Sequence, residues 1–150
     1  MDSFIGNIDA KVDSKGRVCV PADFRKILLS EWDARLVLRK DIYENCLVLY
    51  PVPVWKEELS TLHDKLTKYG KESRQLYRKF MQESSQLEMD SIGRILIPKR
   101  YLQMVGITTD IHFMGGVNPH TIEMWAPDCL ADSEMDDATF EKLMNQLDPR

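Results

Sequence analysis

Short segments of alternating apolar and polar residues dominate the first third of the chain. Asp13 and Gly16 fall between two such segments and suit a tight turn, because Asp bonds nearby backbone amides and Gly accepts a positive φ. Pro21 ends the second segment and suits the first turn of a helix. The pattern predicts strands at 8–12 and 17–20, a helix over about 22–28, and strands near 36–39 and 46–50.

A segment of this pattern occurs twice. The sequence DSKGRVCVP at 13–21 recurs at 90–98 as DSIGRILIP, with Ile in place of Val at two apolar positions. Further strands are predicted near 110–114 and 121–125, in the same order as in the first copy. The chain is therefore an internal duplication. Because each copy is too short to bury a full core, we expect both to close against each other into one shared β-rich barrel.

Apolar residues between the two copies recur at helical spacing. One stripe comprises Trp55, Leu59, Leu62, Leu66 and Tyr69, and a second, after Gly70, comprises Leu76, Tyr77 and Phe80. The spacing predicts two amphipathic helices whose apolar faces pack against the core or another subunit. A last short helix is predicted at 137–147, with Phe140, Leu143, Met144 and Leu147 on one face.

These elements divide the chain into a first repeat at 5–53, a helical linker at 54–85, a second repeat at 86–127 and a C-terminal tail at 128–150. The 150 residues are 43% hydrophobic and 29% charged, as in folded globular proteins. The net charge is −4, and the tail holds seven acidic residues against two basic ones. The acidic tail therefore masks a mildly basic segment at 9–26.

Several classes of function have no support in the sequence. No run approaches the roughly 20 apolar residues that a membrane helix needs, and residues 1–4 lack the pattern of a signal peptide. We therefore expect a cytoplasmic protein without a membrane partner, in which Cys19, Cys46 and Cys129 are buried, reduced thiols. No zinc-binding, hydrolase or phosphate-binding motif occurs, which predicts a protein that is not an enzyme and has no metal, cofactor or small-molecule substrate.

The two D-x-x-G-R-[VI]-x-[VI]-P segments, with helices between them, resemble the MraZ family, whose members carry two domains of the type found in AbrB and SpoVT. The opening Phe4-Ile5-Gly6 also matches, and the resemblance covers about residues 4–127. It implies a β-rich α+β fold, a double-split β-barrel formed by two repeats whose swapped hairpins interleave, as in AbrB and MazE. It also implies a ring-shaped homo-oligomer.

The resemblance further implies a nucleoid-associated bacterial transcription factor, usually a repressor. Its implied partner is double-stranded promoter DNA carrying short direct repeats, at the division and cell-wall gene cluster to which the family belongs. In the family, D-x-x-x-R loops contact the DNA. Here those loops are Asp13 to Arg17 and Asp90 to Arg94.

The residue types in these loops suit DNA. An arginine at a tight turn between strands can enter the major groove and bond guanine through two atoms. Arg17 and Arg94 are thus the predicted base-reading residues. The predicted orienting residues are Asp13, Gly16, Asp90 and Gly93. Phosphate contacts are predicted for Lys11, Lys15, Arg25, Lys26, Lys99 and Arg100.

The second copy departs from the first in its charges. Ile92 replaces Lys15, and Leu102 and Gln103 stand where the first copy has a basic pair. We therefore expect the first copy to contribute more to DNA binding.

Two alternatives stay open from the sequence. Each Asp–Arg pair could serve only as an internal salt bridge that holds its turn. The chain could also be an antitoxin-like interaction module whose loops or acidic tail bind a protein partner, as antidote proteins of this fold do. The acidic tail suits a basic partner, although charged runs are usually solvated.

Overall fold

The computed structural model describes residues 3–66 and 70–148, and both repeats have the same order of elements. Each repeat contains a strand, a tight turn, a short strand, a helix and a hairpin. The strands are β1 (Asn7–Lys11), β2 (Arg17–Cys19), β3 (Arg35–Lys40), β4 (Leu47–Pro51), β5 (Ser85–Glu88), β6 (Arg94–Leu96), β7 (Asp110–Gly115) and β8 (Ile122–Trp125). The strands predicted from the alternating pattern are confirmed, with small shifts at their ends.

Helices follow the short strands, fill the linker and form the tail. They are α1 (Ala22–Glu31), α2 (Val52–Lys65), α3 (Lys71–Gln82), α4 (Lys99–Met104), α5 (Pro127–Ser133) and α6 (Asp137–Leu147). A proline immediately precedes α1, α2 and α4, because its fixed φ suits helix entry. The Asp136 carboxylate accepts the Thr139 amide at 2.7 Å and caps α6, whose predicted range is confirmed. The helix α5 was not predicted.

The two repeats exchange strands. The larger sheet has six strands in the order β1-β7-β8-β4-β3-β5, all antiparallel neighbours, and β2 pairs with β6 in a separate two-stranded ribbon. The first strand of each repeat therefore pairs with the third strand of the other repeat. The structure is a mixed α+β fold, and the two repeats are intertwined rather than side by side.

The register of these pairs is symmetric between the repeats. The ribbon is centred on Val18 opposite Ile95, and the β4–β8 pair is centred on Val48 opposite Glu123. An approximate two-fold relation thus links equivalent residues of the two copies, and it places the two Asp–Arg turns at opposite ends of the ribbon.

Both repeats bury residues in one main core. The helices α1 and α4 supply Phe24 and Tyr101, each about 1% exposed, and the ribbon supplies Val18 and Ile95. A second cluster lies on the other face of the large sheet, around Val48, Tyr50 and Trp125. The expectation that the two copies share a core is confirmed.

The linker helices cover the large sheet only partly. The apolar stripe of α2 is half-buried at Trp55, Leu59 and Leu62, and Trp55 stacks on Phe80 of α3 with ring centroids 6.3 Å apart. The Arg39 guanidinium lies 4.0 Å from the centre of the same phenyl ring. Tyr69, the last residue of the predicted stripe, lies outside the described residues.

The expectation of three buried thiols is confirmed for one cysteine, wrong for a second and met only in part by the third. Cys46 is buried, but Cys19 is exposed and Cys129 is intermediate. In β2, Val18 points into the core, so the next side chain must point outward. Burial raises the pKa of the Cys46 thiol well above its ordinary range.

Candidate nucleic-acid interface

The first turn, residues 13–17, is held by one carboxylate. Asp13 Oδ1 accepts the amides of Lys15 and Arg17, both at 2.9 Å, and Oδ2 accepts Arg17 Nε at 3.1 Å. The Asp13 amide donates to the Arg17 carbonyl at 2.9 Å, and the Gly16 amide donates to the Asp13 carbonyl at 3.0 Å. A single aspartate therefore fixes both the turn and the direction of its arginine.

The second turn, residues 90–94, repeats this geometry. Asp90 Oδ1 accepts the amides of Ile92 at 3.1 Å and Arg94 at 2.8 Å, and Oδ2 accepts Arg94 Nε at 2.9 Å. In both turns the bond to the aspartate uses Nε. Among the described residues, none accepts a hydrogen bond from the Nη atoms of Arg17 or Arg94, so each guanidinium keeps its outer donors for a ligand.

The two glycines let the turns close against the opposite repeat. Gly16 has φ +93° and Gly93 has φ +87°, which favour glycine. The Gly16 carbonyl accepts the Ile97 amide at 2.9 Å, and the Gly93 carbonyl accepts the Val20 amide at 3.0 Å. Each turn is thus bonded to the strand end of the other copy.

The ribbon presents four side chains on its outer side. Arg17 lies opposite Leu96, and Cys19 lies opposite Arg94, while the central pair is buried. Residues opposite each other in an antiparallel ladder share a side, so we call Arg17, Cys19, Arg94 and Leu96 the ribbon face. The two arginines are diagonal neighbours on it, about 7–8 Å apart at Cα.

Three lysines surround the ribbon face without a partner among the described residues. Lys15 and Lys99 line one shallow groove together with Leu96, so the first turn and α4 supply cations to the same place. Lys26 lines a second groove with Arg25, beside Asp90 and Gly93. The structure therefore brings predicted phosphate contacts from both repeats next to the ribbon.

The other predicted cations have partners. Arg25 Nη1 donates to the Ile92 carbonyl at 2.8 Å, and its side chain covers Gly93. Arg100 Nη2 donates to Ser85 Oγ at 3.0 Å, and its guanidinium lies 4.8 Å from the Tyr101 ring centre. Lys11 forms a 2.6 Å ion pair with Asp110 of the opposite repeat. Lys11 and Arg25 thus stabilise contacts between the repeats, whereas Arg100 stabilises contacts within the second repeat.

Three residues of this surface were not predicted. Ile92, Leu96 and Cys19 are exposed around the arginines. Strand alternation predicts the exposure of Cys19 and Leu96, since each ribbon strand buries only its middle residue.

A second cluster of potential ligands lies elsewhere, at Glu44, Cys46 and Glu123, whose donor atoms could meet around a metal ion. The Glu123 carboxylate already accepts Trp125 Nε1 at 2.9 Å and the Val117 amide at 3.3 Å. This arrangement favours a structural role.

The histidines of the second hairpin also serve the fold. His112 Nδ1 lies 2.8 Å from Asn7 Oδ1 and 2.8 Å from Asp9 Oδ1, on the neighbouring strand β1. The His120 ring makes an edge contact with Trp32, with ring centroids 5.8 Å apart. They therefore contact different neighbours.

The stability of the fold at low pH depends on the charges of the two turn aspartates. Hydrogen bonds from the backbone amides and from the arginine side chain lower the pKa of Asp13 and Asp90 below 3.8. A carboxyl group whose pKa is lower in the folded than in the unfolded state stabilises the fold at pH values above the unfolded pKa. This stabilisation is lost as the pH falls through the folded pKa. Asp13→Asn keeps the acceptor oxygen but removes the charge, so its urea midpoint should fall less steeply than that of the wild type from about pH 5 to 3.

The control for that measurement is Asp132→Asn, at an exposed aspartate of α5. It should follow the wild-type curve. A wild-type slope in Asp13→Asn would show that the charge of the turn aspartate does not stabilise the fold.

The fold is that of an internally duplicated protein whose two repeats are intertwined. Each repeat presents an Asp–Arg turn on the shared ribbon. A family model described as "MraZ protein, putative antitoxin-like" matches residues 4–79. The chain belongs to the MraZ family, which confirms the resemblance seen in the sequence.

Relatives from several bacteria match nearly the whole chain. A protein of Bacteroides fragilis named "Transcriptional regulator MraZ" is 43% identical over 98% of this chain and 92% of its own length. Proteins of the same name are 43% identical in Bacteroides thetaiotaomicron, over 97% and 94%, and 29% identical in Serratia proteamaculans, over 96% of both chains. These names describe regulators of transcription and not enzymes. Within 3–66 and 70–148, every helix is too short or too polar to cross a membrane.

Proposed function

We propose that this chain is a sequence-specific DNA-binding regulator, a repressor that binds direct repeats in the promoter of the division and cell-wall gene cluster. The observation that carries the proposal is the ribbon face, where an arginine from each repeat stands with its outer donors free and its Nε held by an aspartate. The names of the relatives support a regulator. The target gene cluster follows from the family resemblance alone.

A two-stranded ribbon has the right size for this task, because the major groove is about 12 Å wide and admits one. The Nη atoms of Arg17 and Arg94 can reach O6 and N7 of guanine while Asp13 and Asp90 hold Nε. Because the guanidinium is already oriented, little side-chain entropy is lost on binding. The ion pair of each turn therefore supports base reading instead of replacing it.

The exposed lysines extend the contact to the phosphates. Lys15 and Lys99 lie at one side of the ribbon face and Lys26 at the other. Cations placed at both sides of a ribbon can fix its register on the duplex without reading sequence. Lys11 and Arg25 contribute mainly by holding the repeats together, and Arg100 by holding α4 to β5 within the second repeat.

A single subunit with a net charge of −4 has few cations for phosphate binding. We propose that each subunit closes as a double-split barrel and that several form a ring with their ribbon faces on one side. Multiple weak contacts then act at high effective concentration. A head-to-tail ring matches direct repeats in DNA better than it matches palindromes.

The test is a fluorescence-anisotropy titration of the assembled protein on its own upstream DNA, with a shuffled duplex of equal composition as the control. Binding should be tighter on the promoter and weaken steeply with salt. Equal, weak binding to both duplexes would overturn the proposal.

The alternative is an antitoxin-like module, and the C-terminal tail favours it. All residues of 134–148 are exposed, and α6 presents Phe140, Leu143, Met144 and Leu147 to solvent. An acidic helix with an exposed apolar side suits a basic protein partner. A DNA-binding role and a partner-binding tail can coexist in one chain.

Removal of the tail separates the two roles. Truncation after Ser133 keeps α5 whole and removes a net negative charge, so binding to non-specific DNA should tighten at low salt and match the wild type at high salt. The full-length variant with Asp137→Asn and Glu141→Gln should show the same trend. The variant with Leu143→Ser and Leu147→Ser should bind non-specific DNA like the wild type, because it keeps the charges of the tail. Unchanged affinity after truncation would show that the tail does not oppose DNA binding.

A further inference from the structure

The two turns differ most in the side chains that surround their arginines. The first turn carries Lys15, whereas Ile92 stands at the equivalent position of the second turn and is 56% exposed. Leu96 stands where the first copy has Cys19 and is 54% exposed. Neither aliphatic side chain belongs to a core cluster. The second repeat therefore places apolar surface in water beside its arginine.

Leu96 is a neighbour of both arginines. It is directly opposite Arg17 in the ribbon and two residues after Arg94 on the same strand, so all three side chains project from the ribbon face. It also lines the groove that contains Lys15 and Lys99. Because Leu96 shares the ribbon face with both arginines, an apolar contact made by Leu96 would fall on the base edges beside the arginine contacts, not on the phosphates.

Ile92 is held in place by the first repeat. Its carbonyl accepts Arg25 Nη1 at 2.8 Å, and the Arg25 side chain covers the adjacent Gly93. The Asp90 carboxylate binds the Ile92 amide at 3.1 Å. Both backbone groups of Ile92 are thus bonded, which fixes the turn and leaves its side chain pointing away from the core.

We propose that the second repeat reads thymine, through contact of Leu96 and Ile92 with thymine 5-methyl groups in the major groove. The inference rests on the proposed DNA-binding function. Thymine is the base that presents a methyl group in the major groove, and aliphatic side chains recognise it by burying that group. Cytosine presents an amino group at the neighbouring position, which an aliphatic side chain cannot bond and would desolvate.

The test compares promoter DNA containing thymine with the same duplex containing deoxyuridine, which lacks only the methyl group. Wild-type affinity should fall about three- to fivefold for each contacted methyl. Leu96→Ser should lose the part of this difference that its own methyl contact contributes, and Leu96→Met, which keeps apolar contact, should restore it. The double variant Leu96→Ser with Ile92→Ser should bind the two duplexes with nearly equal affinity. Leu147→Ser, at an exposed leucine of the tail, should discriminate like the wild type.

The outcomes separate this inference from the proposed function. If the wild type binds neither duplex, the DNA-binding function itself fails. If it binds both equally, or if Leu96→Ser keeps the full preference for thymine, the thymine contact is overturned while DNA binding stands. If Leu96→Ser instead changes the oligomeric state, measured by light scattering, Leu96 is a subunit contact and the proposal is wrong. Ile92→Ser, measured in parallel, gives the part of the thymine preference that Ile92, at the tip of the second turn, contributes.

Discussion

Arg17→Ala is expected to abolish specific binding to the promoter while the protein stays folded. The side chain is exposed over about a third of its surface, and its Nη donors have no partner among the described residues. A bidentate arginine–guanine contact contributes about 1–3 kcal/mol of discrimination for each subunit that binds, and in the proposed ring the losses of several subunits would add up. The measurement is an anisotropy titration on promoter and shuffled DNA, with thermal melting to confirm folding.

The matched control is Arg35→Ala. Arg35 also forms an ion pair with a nearby aspartate, Asp33, at 2.9 Å, but it lies on the large sheet. Arg35→Ala removes the same charge as Arg17→Ala but leaves the ribbon face unchanged, so the preference for promoter DNA should be retained. Arg94→Ala then ranks the two turns. We expect a smaller loss than for Arg17→Ala, because Lys15 and Lys99 beside the first turn have no side-chain partner among the described residues, whereas beside the second turn Arg25 is bonded to the Ile92 carbonyl and Lys26 alone has none. Equal weakening by Arg17→Ala and Arg35→Ala would mean that only net charge matters.

Gly16→Ala is expected to destabilise the protein by about 1–3 kcal/mol from backbone strain alone. Gly16 has φ +93°, and an added Cβ would lie 2.5 Å from the Ile97 carbonyl oxygen. That oxygen belongs to the backbone of the opposite repeat and cannot swing away like a side chain. The melting temperature should fall by roughly 5–10 °C in a calorimetric scan.

Substitutions at two other glycines distinguish the cost of backbone strain at a positive φ from the cost of a steric clash with the added Cβ. Gly106 has φ +70° with open space around its Cβ position, so Gly106→Ala should cost less than Gly16→Ala. Gly93→Ala should fall between them, because an added Cβ meets the flexible Arg25 side chain. If Gly16→Ala melts at the same temperature as Gly106→Ala, the close approach to Ile97 does not constrain the turn.

The sequence predicted the turns well because their chemistry is local. Asp13 bonds amides two and four residues ahead, and the repeat at Asp90 contains the same residue types. Strand positions followed from alternation over a few residues, and α6 followed from its apolar spacing and its Asp136 cap. Each of these features depends on residues within one or two turns of chain.

The pairing of strands could not be predicted in the same way. Two copies with nearly identical patterns can pair within a repeat or between repeats, and alternation does not distinguish these cases. The partner of Arg25 was missed for this reason, since Ile92 reaches it only after the strands exchange. The outward direction of Cys19 was available from alternation, but the apolar residues around it suggested burial.

Strand exchange also sets when the protein can first act during its synthesis. β1 pairs with β7, joining Asn7 to Met114, and β2 finds its partner only in β6. A nascent chain that ends before residue 110 contains the first turn but lacks the strand that completes the sheet beside it. Such distant pairings also make folding slow, because a long loop must close first. A fragment that ends before residue 94 lacks β6 and therefore cannot assemble the ribbon that displays the two Asp–Arg turns.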